Sequence, residues 1–278
     1  SSADVEMEVR TNGRTFGDNA EAAPWFAIGP HRTFLIFLGV WLAVYVLNLG
    51  SREIAYDETR RVYPALAMIE TGNWLDPVFE GDDYNRKPPL FNWMVAAAVL
   101  GLGRLDEFTV RLPVALAMLG LLAYLAYARS GWLEPRARLL CGLMLMTVAA
   151  LFEDGRFCGI DAPYALATGL AVVCWLDRFS LGRRGSTLWV CPGLALGLVL
   201  LLKGPLALVV FYVFTMMVLH GAGEFRRELR SPGHWLGLGL ALAMFLAWVA
   251  ARSWWSPEPA AEAVADPGML QTWRVELL

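Results

Sequence analysis

The sequence is poor in charged residues and in cysteine. Asp, Glu, Lys and Arg make up 18% of its 278 residues, whereas a soluble domain usually carries about 25%. Its four cysteines, Cys141, Cys158, Cys174 and Cys191, form no CxxC pair and are expected to pack as small hydrophobes. These shortages argue against an ordinary soluble protein and a disulfide scaffold. The net charge of -3 gives no reason to expect a nucleic-acid partner.

Apolar residues are abundant instead, at 57% of the chain, and the mean hydropathy is +0.46. A spanning helix takes about 20 residues, so the chain has room for roughly six to eight spans. The pattern predicts an all-α polytopic membrane protein. The uncharged apolar stretches lie at about 33–51, 88–103, 112–128, 139–152, 162–176, 185–202, 204–223 and 231–251.

Clusters of arginine decide how many of these stretches cross the bilayer. Cytoplasmic loops are enriched in Lys and Arg, so the clusters are expected on one side. They share a side only if 88–103 does not cross, which leaves seven spans and a cytoplasmic N-terminus. We therefore predict that 88–103 lies at the outer interface. The clusters are Arg10, Arg14 and Arg32; Arg129, Arg136 and Arg138; Arg178, Arg183 and Arg184; and Arg226, Arg227 and Arg230.

This topology predicts three parts of the chain. Residues 1–32 form a flexible, polar cytoplasmic tail. Residues 33–252 form the transmembrane module, whose outer loop 52–111 carries interfacial helices at about 57–70 and 88–103. Residues 253–278 begin a second large outer loop. The first residue is not Met, which favours a processed or excised chain.

Asp57 opens the first interfacial helix of the outer loop. Apolar residues recur there at helical spacing, which predicts an amphipathic helix. Asp57 is either the N-cap of this helix or a general base at the lipid–water boundary. Glu58, beside it, would complement the helix dipole. The apolar positions are Val62, Ala65, Leu66 and Ile69.

Three further charged residues fall on the outer face. Lys87 precedes two prolines that fix the backbone, and it either snorkels at the interface or pairs with a phosphate. Asp161 is either a helix N-cap or part of a site. Lys203 is either a solvated turn residue or a cation in a pocket. Their convergence on one face favours a site for a charged substrate at the membrane surface.

The run Asp57-Glu58-Thr59-Arg60 resembles the DE-x-R motif of ArnT-like lipid-dependent glycosyltransferases, relatives of the protein O-mannosyltransferases with the GT-C fold. Further segments resemble other motifs of that family in the same order. The likeness is close over about 33–210 and implies a GT-C-like bundle of about seven transmembrane helices. The segments are 70–75, 81–90, Glu107-Phe108 with Arg111-Leu112-Pro113, Gly155-Arg156 with Asp161-Ala162-Pro163, and Lys203-Gly204-Pro205.

The resemblance implies a role for each matching residue. One carboxylate would be the base that activates the acceptor, and basic residues would bind the phosphate of the sugar donor. Negative charge developing on a lipid phosphate needs cations held in place, so the chemistry agrees. The residues are Asp57 and Asp161 as catalytic carboxylates, Arg60, Lys87 and Lys203 as phosphate ligands, and Glu58 and Tyr84 in the pocket.

Two positions depart from the family pattern. The family's Tyr after DE-x-R is Arg61 here, and its acidic residue before KPP is Arg86. In relatives that acidic residue can help to hold a metal ion, which an arginine cannot do. The three histidines are predicted on the inner side, away from the outer site. A divalent metal is therefore less expected here than in the family, and no cofactor is predicted with certainty.

The resulting prediction is an integral-membrane glycosyltransferase of the bacterial inner membrane with a periplasmic site. It would move a sugar from polyprenyl phosphate to lipid A, another glycan or a protein. A non-catalytic module that binds lipid-linked sugar or a partner membrane protein stays open. A transporter is disfavoured because the apolar cores of the spans lack charges. The length suits one seven-span module and is short for a whole enzyme of the family.

Overall fold

The computed structural model describes residues 29–75, 78–79, 82–83 and 87–255. Residues 1–28 of the predicted tail and 256–278 of the predicted second outer loop lie outside this part. Tyr84 and Arg86 also lie outside it, so their predicted places stay untested.

Helices dominate the described part of the chain. A π-helical turn at Leu42–Val46 continues α1, and the two-residue strands β1 (Val78–Phe79) and β2 (Asp82–Asp83) pair antiparallel in the predicted outer loop. This hairpin was not predicted from the sequence. The helices are α1 (Pro30–Trp41), α2 (Tyr56–Thr71), α3 (Leu90–Leu102), α4 (Glu107–Tyr127), α5 (Pro135–Thr147), α6 (Ala149–Asp154), α7 (Asp161–Ser180), α8 (Ser186–Leu202), α9 (Leu206–Gly221), α10 (Phe225–Leu229) and α11 (Pro232–Trp255).

Each of the seven predicted spans corresponds to a helical segment of the structure. Glu107–Tyr127 and Pro232–Trp254 are long and apolar enough to cross a membrane by length and composition. Pro30–Val46, Ser186–Leu202 and Leu206–Gly221 are shorter apolar helices, close to the lower limit of about 17 residues for a span. The all-α membrane-bundle prediction is therefore confirmed.

One predicted span, 139–152, is not a continuous helix. It is divided into α5 and α6 at Val148, whose backbone is extended with φ -65° and ψ 120°. A β-branched side chain tolerates this conformation well, whereas the helical hydrogen-bond ladder does not continue through it. The two short helices together occupy the place of the predicted span.

Contacts between distant residues bring several helix ends together at one end of the bundle, which we name the α10 end. Asp177 at the end of α7 accepts hydrogen bonds from Tyr124 Oη at 3.1 Å and Trp132 Nε1 at 2.8 Å. Arg184, just before α8, forms an ion pair of 2.6 Å with Glu224, just before α10. The described residues of the four arginine clusters lie at helix ends, in the short helix α10 or in the loops at this end, as the predicted topology requires.

The opposite end, which we name the α2 end, has its own set of contacts. Arg156, after α6, donates to the Leu47 carbonyl at the end of the first helical segment, at 3.0 Å. Lys203, after α8, pairs with Asp161 at the start of α7. The predicted outer residues are therefore gathered at one end of the bundle.

The helices α2 and α3 pack against each other and against α4 at this end. With 13 residues, α3 is ~20 Å long, shorter than the ~30 Å hydrocarbon layer. Trp93 in α3 donates to the Trp74 carbonyl after α2, at 2.7 Å, and Trp248 in α11 donates to the Leu75 carbonyl at 3.4 Å. These contacts hold α3 and α11 against the segment after α2, and the predicted position of 88–103 relative to the bilayer stays a prediction.

The predicted amphipathic face of α2 is buried. Val62 and Ala65 are buried, and Leu66 and Ile69 are partly buried against the same cluster. This cluster joins α2 to α3, α4 and the loop before α7, and it includes Phe91, Val95, Val110, Cys158 and Ile160. The same packing leaves the opposite face of α2 accessible at the α2 end.

Glycines allow α8 and α11 to approach closely. Gly193 and Gly197 on α8, and Gly233 and Gly237 on α11, each have the G-x-x-x-G spacing that lets membrane helices pack backbone to backbone. A Cβ added to Gly193 would collide with the Gly237 carbonyl. This spacing is visible in the sequence, although the sequence analysis did not use it.

We expect Gly193→Val to destabilise the protein by about 1–3 kcal/mol, because the extra atoms overpack the α8–α11 contact. Thermal unfolding in detergent micelles measures the change. Gly120→Val is the matched control, since a Cβ added there meets nothing within 4 Å. Equal losses of stability in the two variants would contradict this account of the helix contact.

Candidate functional site

A buried ion pair between α2 and α4 organises the α2 end. Arg111 Nε donates to Glu58 Oε1 at 2.8 Å, and Arg111 Nη2 donates to Glu58 Oε2 at 2.7 Å. This is the bidentate geometry that a guanidinium and a carboxylate commonly adopt. The two side chains are 4% and 1% exposed, respectively. The predicted pocket residue Glu58 therefore lies beneath α2 rather than on its accessible face.

The remaining N–H groups of Arg111 bind the segment that joins α1 to α2. Arg111 Nη1 donates to the carbonyls of Leu49 at 3.0 Å and Arg52 at 2.8 Å, and Nη2 donates to the Glu53 carbonyl at 3.0 Å. One buried side chain thereby satisfies three backbone carbonyls that lie outside a helix. The conformation of the segment before α2 follows from these bonds.

Two backbone N–H groups complete the coordination of the Glu58 carboxylate. Ala55 N donates at 2.9 Å, and Cys158 N, from the loop before α7, donates at 2.7 Å. Burial raises the pKa of Glu58, but the bonds from Arg111, Cys158 and Ala55 outweigh it and hold the pKa below its usual value. Glu58 is therefore ionised, and it joins α2, α4 and the 155–160 loop. We refer to these contacts as the Glu58–Arg111 network.

Cys158 contributes its backbone rather than its thiol to this network. The side chain is fully buried, and burial, followed by the nearby charge of Glu58, raises the pKa of the thiol to about 12. The thiol is therefore protonated at neutral pH and packs as an apolar group, as the sequence analysis expected of the cysteines.

Asp57 and Arg60 lie on the accessible face of α2. Their side chains are 75% and 44% exposed, with 4.0 Å between Arg60 Nη1 and Asp57 Oδ1. The N-cap of α2 is Ala55, so the alternative in which Asp57 is the N-cap is wrong. The carboxylate of Asp57 therefore does not cap this helix, and its proposed role as a base stays a prediction.

Asp161 and Lys203 are brought together from positions 42 residues apart in the chain. Lys203 Nζ lies 2.6 Å from Asp161 Oδ1. Asp161 is the first residue of α7, whose N-cap is Ile160, so the N-cap alternative for Asp161 is also wrong. Two residues that the sequence analysis selected separately thus form one ion pair at the α2 end.

Tyr164 supports the turn that carries Lys203. Its hydroxyl donates to the Gly204 carbonyl at 3.3 Å and accepts from Ala207 N, at the start of α9, at 2.6 Å. The sequence analysis did not select Tyr164. Its position one turn after Asp161 on α7 is the signal that could have identified it.

Asp154, the last residue of α6, is a second carboxylate near Asp161. Partial desolvation, followed by the charges of Asp161 and Glu153, raises its pKa. Like charges at short range disfavour ionisation, which explains the direction. The α2 end therefore has an acidic side around Asp154 and Asp161, with Lys203 as the cation that the structure places beside Asp161.

Lys87 lies directly before α3 and is 9% exposed, with Pro88 and Pro89 buried beside it. A lysine at this depth needs charged or polar neighbours, in keeping with the predicted site. Within the described ranges, no group of three or more His, Cys, Asp or Glu side chains is arranged to hold a metal ion. His31, His220 and His234 lie in the terminal turns of α1, α9 and α11 at the α10 end, away from these residues.

We expect Arg111→Met to destabilise the protein by about 3–5 kcal/mol, because it leaves the Glu58 carboxylate buried without its ion-pair partner. Arg104→Met is the matched control, since Arg104 pairs with Asp106 on the surface and its side chain is 55% exposed. Such a surface pair contributes only about 0–1 kcal/mol. Chemical or thermal unfolding in detergent compares the two variants, and similar losses would contradict the assigned role of Arg111.

The lowered pKa of Glu58 also predicts a pH dependence of stability. Its contribution is complete above the unfolded-state pKa of about 4.5 and is lost as the pH falls through the lower folded-state pKa. The gap in unfolding midpoint between the wild type and Glu58→Gln should therefore be wide at neutral pH and narrow below about pH 4.5. A gap that stays constant across this range would contradict the prediction.

Comparison with known proteins finds relatives by sequence. The chain is 29% identical over 225 residues to the undecaprenyl phosphate-α-4-amino-4-deoxy-L-arabinose arabinosyl transferase of Pseudomonas savastanoi pv. phaseolicola, covering 80% of this chain and 42% of that protein. A similar transferase of Pseudomonas fluorescens Pf0-1 is 33% identical over 177 residues, which is 62% of this chain and 32% of the relative. The chain thus spans less than half the length of these relatives.

A solved structure and a family model identify the fold and the family of the chain. The crystal structure of ArnT from Cupriavidus metallidurans bound to undecaprenyl phosphate matches with a TM-score of 0.66 at 24% identity, over 81% of this chain and 42% of that one. This likeness confirms the predicted GT-C-like fold. The family model described as dolichyl-phosphate-mannose-protein mannosyltransferase matches residues 86–250, more than half of the chain. The chain therefore belongs to the dolichyl-phosphate-mannose-protein mannosyltransferase family.

Proposed function

We propose that this chain carries the catalytic part of a membrane glycosyltransferase that transfers a sugar from polyprenyl phosphate to an acceptor. Family membership supports glycosyl transfer as the reaction class. The names of the Pseudomonas relatives support undecaprenyl phosphate as the carrier and a pentose, 4-amino-4-deoxy-L-arabinose, as the sugar.

The observation that carries the proposal is the ion pair of Asp161 and Lys203 at the end of the bundle where α2 presents Asp57 and Arg60. Two carboxylates and two cations from three separate segments thereby share one end. The Glu58–Arg111 network fixes α2 and the loop before α7 relative to each other. An acceptor and a phosphate leaving group need this combination of acidic and basic groups.

The proposed reaction is a single displacement at the anomeric carbon of the sugar. An oxygen of the acceptor attacks this carbon while its proton passes to Asp57, the general base. The bond from the carbon to the phosphate oxygen breaks, and polyprenyl phosphate leaves with the added negative charge. Arg60, Lys87 and Lys203 stabilise this charge. The configuration of the anomeric carbon is inverted.

Asp161 would act through Lys203 in this scheme. Its carboxylate lies 2.6 Å from Lys203 Nζ and keeps the ammonium at the turn after α8. A cation that is already in place stabilises the leaving group without rearrangement during the reaction. The Asp161 carboxylate also balances the positive charge of Lys203 before the donor binds.

We further propose that the α2 end faces the periplasm of a bacterial inner membrane. The arginines of the predicted clusters within the described residues lie at the α10 end, and cytoplasmic loops are enriched in such residues. A lipid-linked donor would place its polar head among the charged residues and its prenyl tail along the apolar helices. The acceptor would be lipid A, another glycan or a protein.

We expect Asp57→Asn to lower the rate of sugar transfer at least about a hundredfold, because the amide cannot accept the proton of the acceptor. The assay uses the chain in nanodiscs with undecaprenyl-phosphate-linked 4-amino-4-deoxy-L-arabinose and lipid A, and mass spectrometry detects the product. Asp106→Asn is the matched control, since Asp106 caps α4 through Thr109 and asparagine is also a good N-cap.

The unfolding midpoint of Asp57→Asn should equal that of the wild type, because its side chain is 75% exposed. Full transfer activity in a folded Asp57→Asn variant would overturn Asp57 as the base. Loss of transfer in Asp106→Asn to the same extent would show that the assay reports a general disturbance of the α2 end.

A further inference from the structure

Tyr56, the first residue of α2, lies under the guanidinium of Arg60. The Arg60 Cζ atom is 5.1 Å from the centroid of the Tyr56 ring, within the range of about 6 Å for a cation–π contact. The two residues are four positions apart, so the helix places them on the same face. Asp57 lies on this accessible face too, with its carboxylate 4.0 Å from Arg60 Nη1.

The packing of α2 gives no reason for an aromatic residue at position 56. The ring is 66% exposed, whereas the helix is anchored by Val62, Ala65 and Met68 on its other face. Its first turn is fixed by Glu58, whose carboxylate accepts from the Ala55 N–H at 2.9 Å. The contact that the structure gives the Tyr56 ring is with the Arg60 guanidinium.

A guanidinium held beside an aromatic ring has fewer orientations open to it, which favours phosphate binding. The ring lies beside the guanidinium carbon, while the N–H groups of the guanidinium stay available for hydrogen bonds in its plane. A phosphate is bound through these in-plane N–H groups, often by two at once. A long arginine side chain that is already oriented loses less conformational freedom when the phosphate binds.

We propose that Tyr56 is a positioning residue that holds the Arg60 guanidinium ready for the phosphate of the lipid-linked donor. The inference rests on the proposed function, in which Arg60 binds that phosphate, and it adds the residue that orients the arginine. Tyr56 acts through Arg60 and contacts no reacting atom. Aromatic residues at this position therefore support donor binding, and aliphatic ones do not.

Binding of undecaprenyl phosphate to the purified chain in nanodiscs tests this role directly. An exposed cation–π contact corresponds to a change in affinity of about two- to fivefold. We expect Tyr56→Leu to raise the Kd by this factor and Tyr56→Phe to keep the wild-type Kd, because phenylalanine retains the ring. In transfer assays, Tyr56→Leu should raise KM for the donor and leave kcat nearly unchanged.

Phe152→Leu is the matched control. The Phe152 ring also lies under a guanidinium, that of Arg156, at 5.7 Å. Arg156, however, donates to the backbone carbonyls of Leu47 and Asn48 at 3.0 and 3.2 Å, so its contacts hold the end of the first helical segment. The Kd for undecaprenyl phosphate should therefore not change in Phe152→Leu.

Arg60→Ala separates this inference from the proposed function. It should weaken binding of undecaprenyl phosphate, and adding Tyr56→Leu to it should have no further effect. If Arg60→Ala weakens binding but Tyr56→Leu alone does not, the role of Tyr56 is overturned and Arg60 keeps its role. If Tyr56→Leu still weakens binding in the Arg60→Ala background, Tyr56 acts independently, for example as a membrane-interface anchor, and the inference is also overturned. An unchanged Kd in Arg60→Ala would overturn both.

Discussion

The ion pair between Glu58 and Arg111 is the constraint on which the α2 end depends. A carboxylate and a guanidinium that are almost fully buried must satisfy each other and their remaining hydrogen-bonding groups. Here the guanidinium also binds three carbonyls of the segment before α2, and the carboxylate also binds the N–H groups of Ala55 and Cys158. A shift of any one of these segments would leave a buried charge or polar group without its partner.

The neighbouring carboxylates Asp57 and Glu58 have different roles: Glu58 is structural, and Asp57 is the proposed base. Successive residues of a helix point about 100° apart, so Glu58 enters the interior while Asp57 stays on the accessible face. The structural carboxylate thereby fixes the direction of the carboxylate that we propose as the base. Arg60, one turn further on, shares the face of Asp57 and makes a cation–π contact with Tyr56. The site and the fold are linked through one turn of α2.

The sequence could predict the features that depend on local periodicity and charge. The apolar stretches predicted the helices that make up the bundle, the spacing of Val62 and Ala65 predicted the buried face of α2, and the motifs predicted that Asp161 and Lys203 share a site. The partner of Glu58 could not be predicted, because a glutamate in a first helical turn is usually solvated and Arg111 lies 53 residues away. The break at Val148 could not be predicted either, because no proline or glycine lies between residues 145 and 151 to mark it.

The central claim is that one buried ion pair both stabilises the α2 end and aligns the proposed site. A double-mutant cycle with Glu58→Gln, Arg111→Met and the combined variant, measured for unfolding free energy and for sugar transfer, tests it most directly. The account predicts that the combined variant loses less stability than the sum of the two single losses, and that transfer falls in all three. Additive losses, or full transfer in any folded member of the cycle, would contradict it.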